Sequence, residues 1–93
     1  MRLKDLEQTA ILSAVKELDG NARVYLFGSR VDDSKKGGDI DLLVLSDILT
    51  RDNKRAIKIK LNELLGEQKI DLVLAADDSD PFVKIALETG IKL

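Results

Sequence analysis

The sequence predicts an α+β domain built on a small mixed sheet with flanking helices, and three observations predict it. The elements read in the order helix, strand, strand, helix, strand, helix. The first two strand-like runs are joined by a polar, Gly-rich connection. The second and third are joined by a helix of the length that a parallel crossover needs.

Each element has a local cause. Leu3, Leu6, Ala10, Ile11, Ala14, Val15 and Leu18 recur at the spacing of one apolar helix face, with Lys4, Asp5, Glu7, Lys16 and Glu17 largely on the other side. Asp19-Gly20-Asn21 ends this helix, with Gly20 expected as a left-handed cap. Arg23 to Phe27 is short, β-branched and aromatic, and is stopped by Gly28, so it reads as a strand. Asp39 to Leu45 reads as the second strand, and Ser46-Asp47 as a turn.

A helix follows from about Thr50 to Leu65, capped by Gly66, with Ile57, Leu61, Leu64 and Leu65 as its core face. Ile59 lies off that face, and Arg51, Lys54, Arg55, Lys58 and Lys60 make a basic, solvated flank. Lys69 to Ala75 is a third strand that carries one charge, Asp71. Asp80 and Pro81 are the N-cap and first position of a last helix over 81–89, apolar on several sides, which suits either a core plug or an interface. Gly90 caps it, and Ile91-Lys92-Leu93 is expected to trail off.

Length and composition narrow the function. The 93 residues make one domain, 1–93, with no linker or repeat. A chain this short buries a thin core, so a homo- or hetero-oligomeric partner would help it. The formal charge of −2 gives no basis for direct nucleic-acid binding. The chain has no cysteine and no histidine, which excludes disulfides, thiolate metal sites and His-dependent triads. No apolar run is long enough to span a membrane and no signal peptide opens the sequence, so a cytoplasmic protein is expected.

The stretch from Gly28 to Asp41 carries the chemistry. Side chains alternate along a strand, so Asp39 and Asp41 share one face and Ile40 takes the other. For Gly28-Ser29 to meet these carboxylates, the first two strands must run antiparallel. For Asp71 to join them, the third must run parallel to the second. The expected sheet therefore has order 1-2-3, with three carboxylates at one end and helices mainly on the opposite face.

Three desolvated carboxylates repel one another, and a divalent cation removes the problem. Without His or Cys the donors are oxygens, which suit Mg²⁺, Mn²⁺ or Ca²⁺, with Mg²⁺ the expected ion and Mn²⁺ its alternative. Two such ions bridged by carboxylates form a phosphoryl-transfer site. Asp39 and Asp41 would hold the ion that grips a triphosphate, and Asp71 would complete the second site and accept the proton of an attacking hydroxyl. Gly28 allows close approach of phosphate, Ser29 adds a hydroxyl and an N–H, and Arg30 can neutralise phosphate charge. Lys35 and Lys36 can do likewise, although a soluble loop explains them better.

Gly28-Ser29, nine residues, Asp39-Ile40-Asp41, and then Lys69-Ile70-Asp71-Leu72 resemble the motifs of the DNA polymerase beta-type nucleotidyltransferase superfamily. In its brevity the chain resembles the minimal nucleotidyltransferases that act as antitoxins of HEPN-domain proteins. The spacer is one residue shorter than the family often has, a change that a polar, Gly-rich loop tolerates. The resemblance implies a nucleotidyltransferase fold, Asp39, Asp41 and Asp71 as catalytic metal ligands, and Gly28, Ser29 and Arg30 as the nucleotide-binding turn. It implies transfer of a nucleoside monophosphate, AMP from ATP being the expected case, to a hydroxyl. In the antitoxin subgroup that hydroxyl belongs to a tyrosine of the partner HEPN ribonuclease. Two other readings fit the same residues: a small-molecule nucleotidyltransferase of the aminoglycoside-modifying kind, and a non-catalytic antitoxin that masks its partner by binding.

Overall fold

The computed structural model describes residues 1–34, 38–66 and 68–93. Helix α1 (Asp5–Lys16) leads into strand β1 (Arg23–Phe27), a short 3₁₀ turn (Gly28–Val31) and strand β2 (Ile40–Leu45). Helix α2 (Arg51–Leu65), strand β3 (Ile70–Ala75), helix α3 (Pro81–Thr89) and strand β4 (Ile91–Lys92) follow. The expectations for Lys35 and Lys36 lie outside the described residues.

The four strands form one sheet in the order β3-β2-β1-β4. β1 and β2 are antiparallel and β2 and β3 parallel, as the sequence predicts. The correction is at the C-terminus. Ile91-Lys92 does not trail off but pairs antiparallel with β1, Tyr25 opposite Lys92 and Leu26 opposite Ile91. Pairing there satisfies part of the backbone along an edge that β1 would otherwise expose.

The face arithmetic follows from alternation. Val24, Leu26, Ile40, Leu42, Val44, Ile70 and Leu72 point to one face and are buried beneath α1 and α2, against Ile11, Val15, Ile57 and Leu61. Burial of each Leu or Ile in this layer stabilises the fold by about 1.5–3 kcal/mol. Leu43 and Leu45 point to the other face, where Tyr25, Phe27, Val73 and Ala75 pack with Val83 and Ala86 of α3. Helices therefore cover both faces. α1 and α2 lie opposite the carboxylates, as expected, but α3 shares their side of the sheet.

Several residues sit differently from their helical spacing. Leu6 is 80% exposed, and Leu18 and Leu64 are also exposed, while Glu7 is buried. The stripe on α1 is narrower than its apolar residues suggest because α2 covers only part of that helix. Glu7 is drawn inward by bonds: it accepts from the Lys4 N–H at 3.0 Å and from the Gln68 side-chain amide at 2.9 Å. Gly20 is not the left-handed cap. Helix α1 ends earlier, with Glu17 as its C-cap, and the positive-φ glycines among the described residues are Gly28, Gly38 and Gly66.

The predicted caps, Gly66 after α2 and Asp80 before α3, are present, and α2 has an N-terminal capping box as well. Thr50 and Asn53 bond reciprocally at the start of α2, and Asp80 accepts from the Phe82 N–H at 2.8 Å at the start of α3, with Pro81 at its first position. Among the described residues, no helix is long and apolar enough to cross a membrane.

Candidate active site

The site is assembled where β1 ends and β2 and β3 begin. In the antiparallel pair Phe27 stands opposite Asp41, and in the parallel pair Asp41 stands opposite Asp71. One position on the central strand thus touches both neighbours. The apolar runs flanking it fix this register, because a slip by one residue would turn the Asp41 carboxylate into the apolar layer beneath α1 and α2. Asp39 lies one residue before β2 rather than within it.

Two glycines shape the ground beneath these side chains. Gly28 has φ +76, and a Cβ there would stand 2.3 Å from Asp41 Oδ2. Gly38 has φ +91, and a Cβ there would stand 2.4 Å from Ser29 Oγ. Gly28 thus seats the Asp41 carboxylate directly over the turn, and Gly38 lets the Ser29 hydroxyl lie against the backbone just before Asp39. An L-residue at either position is strained by its backbone as well as by contact.

The electrostatics match the crowding. Burial pushes the Asp41 carboxyl above its ordinary value, the negative charges of Asp71 and Asp39 push it further, and a hydrogen bond to Asp71 adds to this. Lys69 opposes the rise, and its ammonium lies 3.4 Å from Asp39 Oδ2. Asp71 is exposed and Asp41 half-buried, so the pair meets solvent on one side.

A carboxylate whose charge is disfavoured by burial and by two neighbouring carboxylates suits a hard divalent cation. The donor chemistry therefore fits Mg²⁺ or Mn²⁺. Convergence is pairwise: Asp41 interacts with Asp71 and with Asp39, and Asp39 faces Lys69. Among the described residues, no group of three acidic side chains is drawn together closely enough to form a finished metal cage.

Arg30 takes a structural place. Its Nε donates to the Gly38 carbonyl at 3.3 Å and its Nη1 to the Arg2 carbonyl at 3.0 Å, so the side chain ties the end of the connection to the N-terminal segment. An aromatic wall borders the carboxylates on the α3 side: Phe27 and Phe82 meet edge to face, with ring centres 5.6 Å apart. Phe82 is about half exposed.

Gly38 and Arg2 escaped the sequence reading. Gly38, beside Asp39, had a signal in its position. Arg2 had none, because its contacts join segments about thirty residues apart. A surface concavity of about 620 Å³ runs along α2, lined by Arg51, Asp52, Lys54, Arg55, Lys58, Ile59 and Asn62, and includes none of Asp39, Asp41 and Asp71.

An α+β sheet with an acidic pair seated on a glycine turn is the class of domain that fold and site define. The family model of the nucleotidyltransferase domain matches residues 9–93. The chain belongs to that family and is a nucleotidyl-group transferase domain. Comparison with curated proteins returns no match.

Proposed function

We propose that this domain transfers AMP from ATP to the hydroxyl of a tyrosine on a partner HEPN ribonuclease toxin, and so acts as its antitoxin. The observation that carries the reading is the meeting of Asp41, Asp71 and Gly28 at one sheet end. It suits the donor half of a nucleotidyl transfer, while the concavity along α2 includes none of these groups. A domain that presents donor chemistry beside an open, partly apolar surface suits an acceptor brought by another protein.

In this reading Gly28 and Ser29 hold the β- and γ-phosphates through backbone approach and the hydroxyl. Arg30 keeps the turn closed on Gly38. Mg²⁺, held by Asp39, Asp41 and Asp71, would neutralise phosphate charge and favour the phenolate form of the acceptor tyrosine. The acceptor oxygen forms a bond to the α-phosphorus, the bond from that phosphorus to the bridging oxygen breaks, and pyrophosphate leaves. The acceptor proton passes to Asp71, whose exposed carboxylate is open to an incoming hydroxyl. Phe27 and Phe82 lie beside these groups, and the exposed Ile85 extends the apolar surface along α3 toward a partner.

The test is label transfer from α-labelled ATP to the protein encoded beside this one, with Asp39→Asn and Asp41→Asn as controls. The expected result is labelling that needs Mg²⁺ and is lost in both variants. Unchanged labelling in the variants, or after chelation, sinks the assignment. Inhibition of the partner without any labelling turns the reading into masking, and labelling of a small hydroxyl compound without a partner turns it into small-molecule modification.

A further inference from the structure

Residues before position 9 lie outside the family match, yet one of them is bonded throughout the turn that seats Ser29. The Arg2 backbone N–H donates to the Arg30 carbonyl at 2.7 Å. Its Nη2 donates to the Ser29 carbonyl and its Nε to the Asp32 carbonyl, each at 2.9 Å. Arg30 returns the contact, donating to the Arg2 carbonyl. One guanidinium therefore bridges carbonyls near both ends of the 3₁₀ turn, and a reciprocal arginine pair closes the ring.

The consequence is directional. The Ser29–Arg30 peptide is planar and trans, so its N–H points opposite to its carbonyl. Holding the Ser29 carbonyl toward Arg2 fixes where the Arg30 N–H points. Gly38 meanwhile leaves the Ser29 hydroxyl its place against the connection. Without the fork, a short turn between a positive-φ glycine and a polar connection would sample other orientations, and ligand binding would have to pay the ordering cost.

We propose that Arg2 is a positioning residue that presets the Gly28-Ser29 turn for the donor phosphates. The proposal deepens the nucleotide-binding reading of that turn and rests on it. Arg2 acts through backbone carbonyls, so its fork geometry matters more than its charge. Lysine keeps the charge but cannot span two carbonyls in one plane.

The experiment is calorimetric titration of the full chain with a non-hydrolysable ATP analogue and Mg²⁺, for wild type, Arg2→Ala, Arg2→Lys, Ser29→Ala and the Arg2→Ala/Ser29→Ala double variant. Arg2→Ala is expected to weaken binding about ten-fold. Arg2→Lys is expected to recover only a minor part of that loss. The double variant is expected to bind within about two-fold of Ser29→Ala alone, because the two residues act through one turn. A general loss of fold would not produce that non-additivity.

Arg2→Ala binding like wild type overturns the proposal, as do full rescue by lysine and additive losses in the double variant. If Arg2→Ala does not fold, a folded Arg2→Lys chain carries the test: weakened binding supports the fork, and wild-type affinity overturns it. Failure of the wild type itself to bind nucleotide overturns the reading of Gly28 and Ser29, and Arg2 with it. That result differs visibly from an intact site indifferent to Arg2.

Discussion

Asp41 Oδ2 occupies the space that a side chain on Gly28 would need, 2.3 Å from the position of a Cβ. The end of β1 and the middle residue of the site are thus fitted to each other through a missing methyl group. Gly28→Ala must displace the carboxylate and hold a positive φ. The expected cost is about 1–2 kcal/mol of stability from the backbone alone, with nucleotidyl transfer falling by roughly two orders of magnitude because the displaced group no longer faces Asp71. Thermal melting and label transfer measured together check both. A variant that melts lower yet transfers normally would separate Asp41 from the chemistry.

Asp41→Asn is expected to abolish transfer and to stabilise the domain. The folded-state value of the Asp41 carboxyl is raised, so the fold disfavours its charge. That cost is absent below the ordinary value of 3.8 and appears as pH rises through the folded value. At neutral pH without divalent cation the variant should be more stable by about 1 kcal/mol, or roughly 4–8 °C. The difference should vanish in acid, and Mg²⁺ should narrow it by stabilising the wild type. A variant that melts below wild type at pH 7 would contradict the charge-crowding account.

Glu7 titrates in the opposite sense. Burial raises its value, but the bonds from Lys4 and Gln68 and the charges of Arg30 and Lys4 outweigh burial and leave it below 4.5. Its ionised form therefore stabilises the fold above that pH, and the contribution is lost as pH falls through the lower folded value. Glu7→Gln should cost about 1–2 kcal/mol at pH 7 and flatten the acid limb of the stability curve. Urea midpoints from pH 3 to 7 provide the measurement, and parallel limbs for the two proteins would rule the assignment out.

Ser46 joins two turns at the end of the sheet away from the carboxylates. It donates to Asp19 Oδ2 at 2.6 Å and accepts from the Ile48 and Leu49 N–H groups, while Asp19 Oδ1 accepts from the Asn21 N–H. Both side chains are buried. Ser46→Ala leaves a carboxylate oxygen short of a donor and two amides short of an acceptor, at a cost of about 1–3 kcal/mol. Because the site lies at the other end of the strands, transfer by the folded fraction should be unchanged; a loss of activity per folded molecule would show coupling along β2.

Much of this protein is legible locally. The bounds of β1 and α3, the caps at Gly66 and Asp80, and the parity that sets Asp39, Asp41 and Asp71 on one side all follow from near neighbours in sequence. The antiparallel and parallel pairings follow from requiring Gly28-Ser29 and Asp71 to meet Asp39 and Asp41, and the helix between the second and third strands is long enough for the parallel crossover. Where periodicity misled, at Leu6, Leu18 and Leu64, the stripe counted apolar residues but could not say how much of it a neighbouring helix would cover. Glu7 misled in reverse, since its partner Gln68 is sixty-one residues away.

The sequence by itself determined which residues share a face and which carboxylates lie at one end, because backbone alternation and helical pitch are local rules. Tertiary structure decided what touches what. It made Ile91-Lys92 a strand, turned Arg30 onto the carbonyls of Gly38 and Arg2, laid α3 on the carboxylate side and seated Asp41 on Gly28. Each of these depends on where a distant backbone arrives, and a hydrogen bond or a van der Waals contact exists only once both of its partners have been placed.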